Sequence, residues 1–231
     1  MKKYNLEIPV QFEEKFKLYE KLLLKHNESI NLTAIKDVEE IKIKHFLDSI
    51  EPIKHFKFEG NCIDIGTGAG FPGIPLAINL PNVQFTLLDS LAKRIKFLDT
   101  VINELCLNNV STILGRAEEI SGTNQSTEKG NHREVFNIST SRAVSHLRII
   151  SEYSLPFIKK GGHMLAYKAR DVYSEIEESK EIIKILGGKI VETIEYNVEN
   201  YERSLVVIEK VTETPNKYPR KQNQIKNQRL F

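Results

Sequence analysis

Apolar residues recur along this chain with two different spacings, and the change from one to the other divides the sequence. From Ile8 to His26 they fall at helical spacing between charged residues, which predicts an amphipathic helix. Asp37 can cap a second helix, whose apolar positions continue to Ile50. Two helices therefore precede the first strand, and residues 1–58 are predicted to form an N-terminal helical cap.

From residue 59 onward, short apolar runs alternate with longer amphipathic segments. The runs indicate strands near 61–65, 84–88, 110–114, 135–140 and 162–168, and the segments between them indicate helices near 73–79, 91–107, 143–159 and 171–186. This alternation is typical of an α/β fold with a parallel sheet and crossover helices. Residues 121–134 contain no apolar side chain, so we expect an exposed loop there.

Two more apolar runs close the predicted core domain, which covers residues 59–211. They extend from Lys189 to Tyr196 and from Arg203 to Val211, and only a short polar link joins them. Because parallel strands need a long crossover, this short link predicts a final antiparallel pair. The sheet should therefore have seven strands, of which the last two form a hairpin.

Composition sets only broad limits on function. A chain of 231 residues with 40% hydrophobic residues can bury a core in one large domain with an appendage. No apolar run approaches the roughly 18 residues of a membrane helix, so we expect a cytoplasmic protein without a membrane partner. Cys62 and Cys106 lack metal-ligand spacing, so no metal site is expected. Separately, we expect the protein to be a monomer.

Residues 62–78 carry the strongest local signal for a ligand site. An apolar strand ends at Ile65 and is followed by Gly66, Gly68 and Gly70 before a predicted helix. Glycine allows a positive φ and places no Cβ between the main chain and a ligand lying over the loop. Such a loop at the carboxyl end of a strand is where open α/β sheets bind nucleotide-like ligands. The three glycines are therefore candidate cofactor-binding residues.

The spacing of the glycines leaves two classes of cofactor open. Read from Gly68, the loop fits G-x-G-x-x-G, which is the fingerprint of NAD and FAD sites. Read from Asp64, the pattern D-x-G-x-G-x-G resembles motif I of the S-adenosylmethionine-dependent methyltransferases. Asp89 ends the next predicted strand, near the ~20-residue spacing expected of a ribose-binding carboxylate. The alternative for Asp89 is a surface aspartate that caps the following helix.

The final segment, 212–231, is predicted to be a basic tail. From residue 214 onward it has no acidic side chain, and its cations are Lys217, Arg220, Lys221, Lys226 and Arg229. A segment of one charge suits contact with RNA phosphates, and the alternative is a solvated end without function. Because the glycine loop and Asp89 belong to the sheet, we expect cofactor binding to be independent of this tail.

Several motifs read together resemble one family. They are Asn31-Leu32-Thr33, Lys44 to Ser49, Asp64 to Ala77, Leu87 to Ser90, Gly115 to Glu119, Ser141 to Val144, Pro156 to Lys168 and Thr214 to Lys221. Together they resemble the bacterial 16S ribosomal RNA guanine-N7 methyltransferases, also called glucose-inhibited division protein B. The combination of G-x-G-F-P-G-x-P, S-R-A and T-P-x-K-Y-P-R-K is far more specific than the glycine loop, and the resemblance covers nearly the whole chain.

This resemblance implies a fold, a cofactor and a partner. The fold is a class I methyltransferase with a Rossmann-like seven-strand sheet, the cofactor is S-adenosyl-L-methionine, and the partner is 16S ribosomal RNA or the small ribosomal subunit. The implied cofactor contacts are Gly66, Phe71, Ala117, Glu118 and Arg142, in addition to Gly68, Gly70 and Asp89. Candidate contacts to the RNA are His45, Lys168, Lys217, Arg220 and Lys221.

Guanine N7 has an in-plane lone pair and no proton, so its methylation needs no general base. Catalysis can then depend on holding the two reactants in near-attack geometry. In place of the N-P-P-Y or D-P-P-Y motif of amine methyltransferases, this chain has Ser141-Arg142-Ala143. We therefore name no certain catalytic residue and treat Arg142 as a candidate for target positioning. Its alternative is a buried salt bridge with Asp64 or Glu118.

Two other functions stay open at this point. One is an NAD- or FAD-dependent oxidoreductase, which would use the G-x-G-x-x-G pattern that begins at Gly68. The other is a ribosome assembly factor that keeps the methyltransferase fold and binds RNA without catalysis. Binding of S-adenosylmethionine or of NAD distinguishes the methyltransferase from the oxidoreductase. Transfer of a methyl group to RNA distinguishes the methyltransferase from the assembly factor.

Overall fold

The computed structural model describes residues 7–122, 132–143 and 145–227. Its centre is a seven-stranded sheet in the order β3-β2-β1-β4-β5-β7-β6. The strands are β1 Asn61–Ile65, β2 Gln84–Asp89, β3 Val110–Leu114, β4 Phe136–Arg142, β5 Ile158–Ala169, β6 Gly188–Val198 and β7 Tyr201–Lys210. The first five strands pair in parallel, and β7 pairs antiparallel with both β5 and β6. The predicted α/β fold with a final antiparallel pair is confirmed.

Helices cover the two faces of this sheet. They are α1 Glu13–Ile30, α2 Val38–Ile41, α3 Asp48–Ile50, α4 Gly73–Asn79, α5 Ala92–Glu104, α6 Ala117–Ile120, α7 Leu147–Ser154, α8 Tyr173–Ile185 and α9 Gln222–Asn227. Alternate residues of β1 belong to separate cores, because Cys62 packs in one cluster and Ile63 in the other. No helix in the described part of the chain combines the length and the apolar character that a membrane crossing requires.

The N-terminal helices differ in their limits from the prediction. A short 3-10 turn, Val10–Phe12, precedes α1, which begins at Glu13 and ends at Ile30 rather than at His26. Asn31 ends α1 in the left-handed conformation, with φ 50°. Periodicity alone placed the helix too early, because it did not distinguish a 3-10 turn from the first turn of an α-helix.

The second helix begins as predicted and is then interrupted. Asp37 caps it, because its Oδ1 accepts a hydrogen bond of 2.9 Å from the backbone N–H of Glu40. The predicted continuous helix is wrong, since a π-helical segment, Lys42–Leu47, separates α2 from α3. π-Helical turns often occur at functional sites, and this one carries His45 and is followed at once by Asp48.

The region between β4 and β5 also departs from the prediction. The helix expected over 143–159 is shorter, because α7 ends at Ser154 and a 3-10 turn, Leu155–Phe157, follows it. Pro156 has no backbone N–H to donate, so it cannot continue a regular helix. The chain then enters β5 at Ile158, four residues earlier than expected.

Candidate functional site

A cavity of about 870 Å³ lies at the carboxyl ends of the parallel strands. Its lining combines the glycine loop after β1, the end of β2 at Asp89, the end of β4 at Arg142 and the end of β5 at Lys168. The chain runs outward from β1 through β2 to β3, and then returns to place β4 on the other side of β1. Ligands of open α/β sheets bind at such a switch point.

The three glycines of the loop do not play the same part. Gly66 and Gly68 have φ values of 67° and 63° and line the cavity. A Cβ on Gly68 would meet only the carbonyl oxygen of Gly66, at 3.9 Å, so it would project into open space. A Cβ on Gly70 would lie 2.6 Å from the Tyr19 hydroxyl. Gly70 therefore permits close packing of α1, whereas Gly68 faces the cavity.

Asp64 is fully buried beneath the glycine loop and holds it in place. Its Oδ2 accepts a hydrogen bond of 3.1 Å from Gly73 N–H, and its Oδ1 accepts one of 2.9 Å from the Thr140 hydroxyl. Burial raises the pKa of Asp64 to about 6, although the hydrogen bonds from Thr140 and Gly73 oppose the increase. The first acid of the motif thus connects the loop to α4 and β4.

Asp89 lies at the end of β2, where it lines the cavity and is only 3% exposed. Its Oδ2 accepts hydrogen bonds from Gly68 N–H at 3.0 Å and from Arg94 Nη1 at 3.2 Å. Its Oδ1 accepts one of 2.9 Å from Leu91 N–H, at the start of α5. Asp89 is therefore not a surface residue, although it does contact the start of the following helix as the alternative expected, and this buried carboxylate also joins the glycine loop to the edge of the cavity.

Arg142 enters the cavity from the end of β4 and meets the π-helical segment. Its Nη1 donates to Asp48 Oδ2 at 2.8 Å and to the backbone carbonyl oxygens of Lys44 and His45, both at 3.3 Å. The guanidinium carbon lies 5.1 Å from the centre of the Phe71 ring, within the range of a cation–π contact. Arg142 thus does form the buried salt bridge given as its alternative, but the partner is Asp48, and the suggested partners Asp64 and Glu118 are wrong.

His45 packs against the same aromatic ring. Its imidazole stacks on Phe71 with ring centres 4.5 Å apart, and its Nε2 lies 2.8 Å from the Thr33 hydroxyl. Burial, followed by the positive charge of Arg142, lowers the pKa of His45 to about 4. The imidazole is therefore neutral at pH 7 and offers hydrogen bonding and stacking rather than a positive charge.

Lys168 completes the cavity at the end of β5. Its Nζ donates to the Ser145 carbonyl oxygen and to Glu175 Oε2, both at 2.7 Å. Glu175 belongs to α8 and also accepts a hydrogen bond of 2.7 Å from Leu147 N–H. This lysine therefore fixes the turn after β4 against α8 while it faces the cavity.

The remaining predicted site residues lie outside the cavity lining of the described chain. Ala117 and Glu118 begin α6, which contacts α7, and Ile150 of α7 lines the cavity. Lys217 lies over the Tyr218 ring at 5.3 Å, Arg220 pairs with Glu152, and Lys221 is exposed. The side chain of Lys226, the whole of Arg229 and residues 123–131 of the predicted polar loop fall outside the described residues.

Comparison with known proteins identifies the family. The family model described as rRNA small subunit methyltransferase G matches residues 12–206. The chain belongs to this family. A ribosomal RNA small subunit methyltransferase G of Clostridium beijerinckii is 48% identical over 221 residues, covering 94% of this chain and 90% of its own. One of Lactococcus lactis is 44% identical over 222 residues, covering 94% and 91%.

Solved structures agree with this membership at the level of the fold. A SAM-dependent methyltransferase from Aquifex aeolicus superposes with a TM-score of 0.54 at 16% identity, covering 74% of this chain and 93% of its own. The TYW2 protein of M. jannaschii, solved in complex with AdoMet, has a TM-score of 0.54 at 18% identity, covering 71% and 77%. The methyltransferase G family member thus has a methyltransferase fold.

The structure adds one residue to the site of this methyltransferase G family member that the sequence did not indicate. Arg203, near the start of β7, donates from Nε to Asp48 Oδ1 at 2.9 Å and lines the cavity. Asp48 therefore bridges Arg142 and Arg203. No sequence signal connected Arg203 to Asp48, because the pairing of β7 with β5 decides where Arg203 lies.

Proposed function

We propose that this protein transfers a methyl group from S-adenosylmethionine to N7 of a guanine in 16S ribosomal RNA. One observation carries the proposal: a single cavity joins an open glycine loop and a buried carboxylate to a pair of arginines. Gly68 and Asp89 lie on one side, and Arg142 and Arg203 lie on the other. Family membership supports this reaction and this substrate, since the relatives are named for methylation of small-subunit ribosomal RNA.

The glycine-loop side of the cavity fits the cofactor. Gly66 and Gly68 leave their side of the cavity without a Cβ, and Asp89 supplies a buried carboxylate at the position expected to hold ribose hydroxyls. S-adenosylmethionine, when bound, supplies an electrophilic methyl group on a positively charged sulfur. Phe71 forms the boundary between this side and the arginine side, because Arg142 and His45 both contact its ring.

The arginine side fits a guanine held within RNA. Guanine presents O6 and N7 as adjacent acceptors, and an arginine fork is the common partner for that edge. Arg142 and Arg203 share the single charge of Asp48, so the group of three carries a net positive charge that suits an RNA strand. Neutral His45 and the ammonium of Lys168 border the same space. These side chains would orient the base, and N7 needs no proton removed.

The proposal extends to the partner and the cellular setting. The RNA would be the 16S molecule, either free or within the small subunit, and the enzyme would act in the cytoplasm as a monomer. The segment 1–58 supplies His45 and Asp48, the domain 59–211 supplies the cofactor site, and the tail 212–231 offers Lys217 and Lys221 to phosphates. No observation favours the oxidoreductase or the non-catalytic assembly factor.

Two measurements test the proposal. Calorimetry should show binding of S-adenosylhomocysteine and no binding of NADH. Tritiated S-adenosylmethionine should then label 16S RNA in intact small subunits or in stripped RNA. Binding of NADH alone would support the oxidoreductase instead, and RNA binding without labelling of either substrate would support the assembly factor.

A further inference from the structure

The chain after β7 is fixed against the domain by buried polar contacts. Lys210 is fully buried, and its Nζ donates to Glu134 Oε1 at 2.9 Å, to the Leu155 carbonyl oxygen at 2.7 Å and to the Thr214 hydroxyl at 2.7 Å. Thr214 N–H in turn donates to Glu134 Oε1 at 2.7 Å. Arg133 donates to the carbonyl oxygen of Thr214 at 2.6 Å. These contacts therefore hold the segment in place against the domain, beginning with its first residues.

Farther along, the same segment forms a buried ion pair with α7. Arg220 donates from Nε to Glu152 Oε1 at 2.9 Å and from Nη2 to Oε2 at 2.7 Å, and its backbone N–H also donates to Oε1 at 2.8 Å. Glu152 has 0% exposure. Tyr218 and Ile225 are buried in the apolar cluster that also contains Ile150. These hydrogen bonds to one buried carboxylate fix the position of α7 against this segment.

Two links connect this segment to the cofactor side of the cavity. Ile150, two residues before Glu152 on α7, lines the cavity itself. Arg116, the residue just before α6, donates from Nη1 to Gln222 Oε1 at 2.7 Å. The next residue, Ala117, is one of the expected cofactor contacts. α7, which lines the cavity through Ile150, and α6, which contacts α7, thus both have partners in the C-terminal segment.

We propose that residues 214–225 form a brace that positions α6 and α7 for cofactor binding. Arg220 is then a positioning residue that acts through Glu152, and Gln222 acts through Arg116. This proposal rests on the proposed function, because it assigns the α6–α7 side of the cavity to S-adenosylmethionine. It replaces the expectation that cofactor binding is independent of the tail.

The first test compares two cations on the surface of the domain. Arg220→Ala removes the partner of Glu152, whereas Lys159→Ala removes an exposed charge at the start of β5, outside the tail, and serves as the control. Calorimetry should show affinity for S-adenosylhomocysteine lowered on the order of tenfold by Arg220→Ala, equal to about 1.4 kcal/mol, and unchanged by Lys159→Ala. In methyl transfer, KM for S-adenosylmethionine should rise with kcat little changed, and Arg220→Lys should restore part of the affinity.

A second variant keeps the test valid if Arg220→Ala fails to fold. Removing one partner leaves the charge of Glu152 buried and unpaired, which is strongly destabilising. The double substitution Glu152→Gln with Arg220→Gln removes both charges and keeps groups that can hydrogen-bond. It should melt cooperatively and still bind S-adenosylhomocysteine more weakly than the parent. Parental affinity in either folded variant overturns the brace, whereas a parent protein that does not bind S-adenosylhomocysteine overturns the proposed function instead.

Discussion

Asp64 and Asp89 are buried carboxylates at the ends of neighbouring strands, yet their partners give them different roles. Asp64 bonds to Gly73 N–H and to Thr140, so it holds the glycine loop from below. Asp89 lines the cavity and reaches Gly68 N–H from the side. The sequence indicated both acids as parts of one candidate site, but only their contacts show that Asp64 supports the loop whereas Asp89 faces the cavity.

Replacement of Asp89 tests its role in cofactor binding. Asp89→Ala should reduce the free energy of S-adenosylhomocysteine binding by roughly 1.5–3 kcal/mol, the value of hydrogen bonds to a charged group. Isothermal titration calorimetry measures the change directly. Asp99→Ala is the control, because Asp99 is an exposed acid on α5 that accepts a hydrogen bond only from Thr112 among the described residues. Equal affinity in the two variants would remove Asp89 from the cofactor site.

The raised pKa of Asp64 predicts that the free energy of unfolding depends on pH. Because its pKa rises from 3.8 to about 6 on folding, the folded chain keeps a proton between these values that the unfolded chain has lost. Its contribution to the free energy of unfolding is therefore greatest below about pH 4 and falls as the pH rises to about 6. Urea unfolding of the parent and of Asp64→Asn should show the parent losing on the order of 3 kcal/mol relative to the variant between pH 4 and pH 7. A difference independent of pH would contradict this prediction.

At the scale of secondary-structure elements, the glycine loop and the π-helical segment shape the cavity. The strand 61–65 and the helix 73–79 around the loop were predicted with their observed limits, because apolar runs and glycines mark them clearly. The π-helical Lys42–Leu47 could not be predicted, because a π-turn changes the hydrogen bonds without a distinctive sequence. The sequence therefore predicted the structure of the glycine-loop side of the cavity better than that of the arginine side.

Two glycines that both have a positive φ test the loop. Gly68 and Gly161 have φ values of 63° and 81°, and an added Cβ would meet nothing closer than 3.9 Å at either position. Alanine at each should therefore cost about 1 kcal/mol of stability through backbone strain. Only Gly68 faces the cavity, so only Gly68→Ala should also weaken S-adenosylhomocysteine binding, by about tenfold or more. Equal binding by both variants would show that the loop does not contact the cofactor.

Arg142 connects β4 to the π-helical segment, and its fork can be tested separately from its charge. Arg142 Nη1 alone meets Asp48 and two carbonyl oxygens. Arg142→Lys keeps a cation that could occupy that place, but it lacks the remaining planar donors of the guanidinium that would meet a base. Loss of a bidentate base contact costs roughly 1–3 kcal/mol, so methyl transfer at limiting RNA should fall by about tenfold or more. Full activity of the lysine variant would show that a point charge is sufficient.

At the scale of the whole molecule, the site is assembled from segments far apart in the chain. Asp48 from the N-terminal region meets Arg142 from β4 and Arg203 from β7. These residues meet only because of the order in which the strands lie in the folded sheet. The sequence therefore indicated Arg142 but not that Asp48 is its partner. The basic tail shows the same limit: its charges suggested contact with solvent or RNA, whereas Arg220 pairs with buried Glu152. Charge patterning does not distinguish an exposed cation from one that has a buried partner.

The most direct measurement of the central claim is the position of the transferred methyl group. Small subunits from cells that lack this enzyme, together with stripped 16S RNA, would be incubated with the protein and tritiated S-adenosylmethionine. The RNA would then be cleaved chemically at N7-methylguanosine. We predict that the label enters one guanine, that the chain breaks there, and that 7-deazaguanosine at that position abolishes labelling. Label on another atom or another base, or no label on either substrate, would contradict this account.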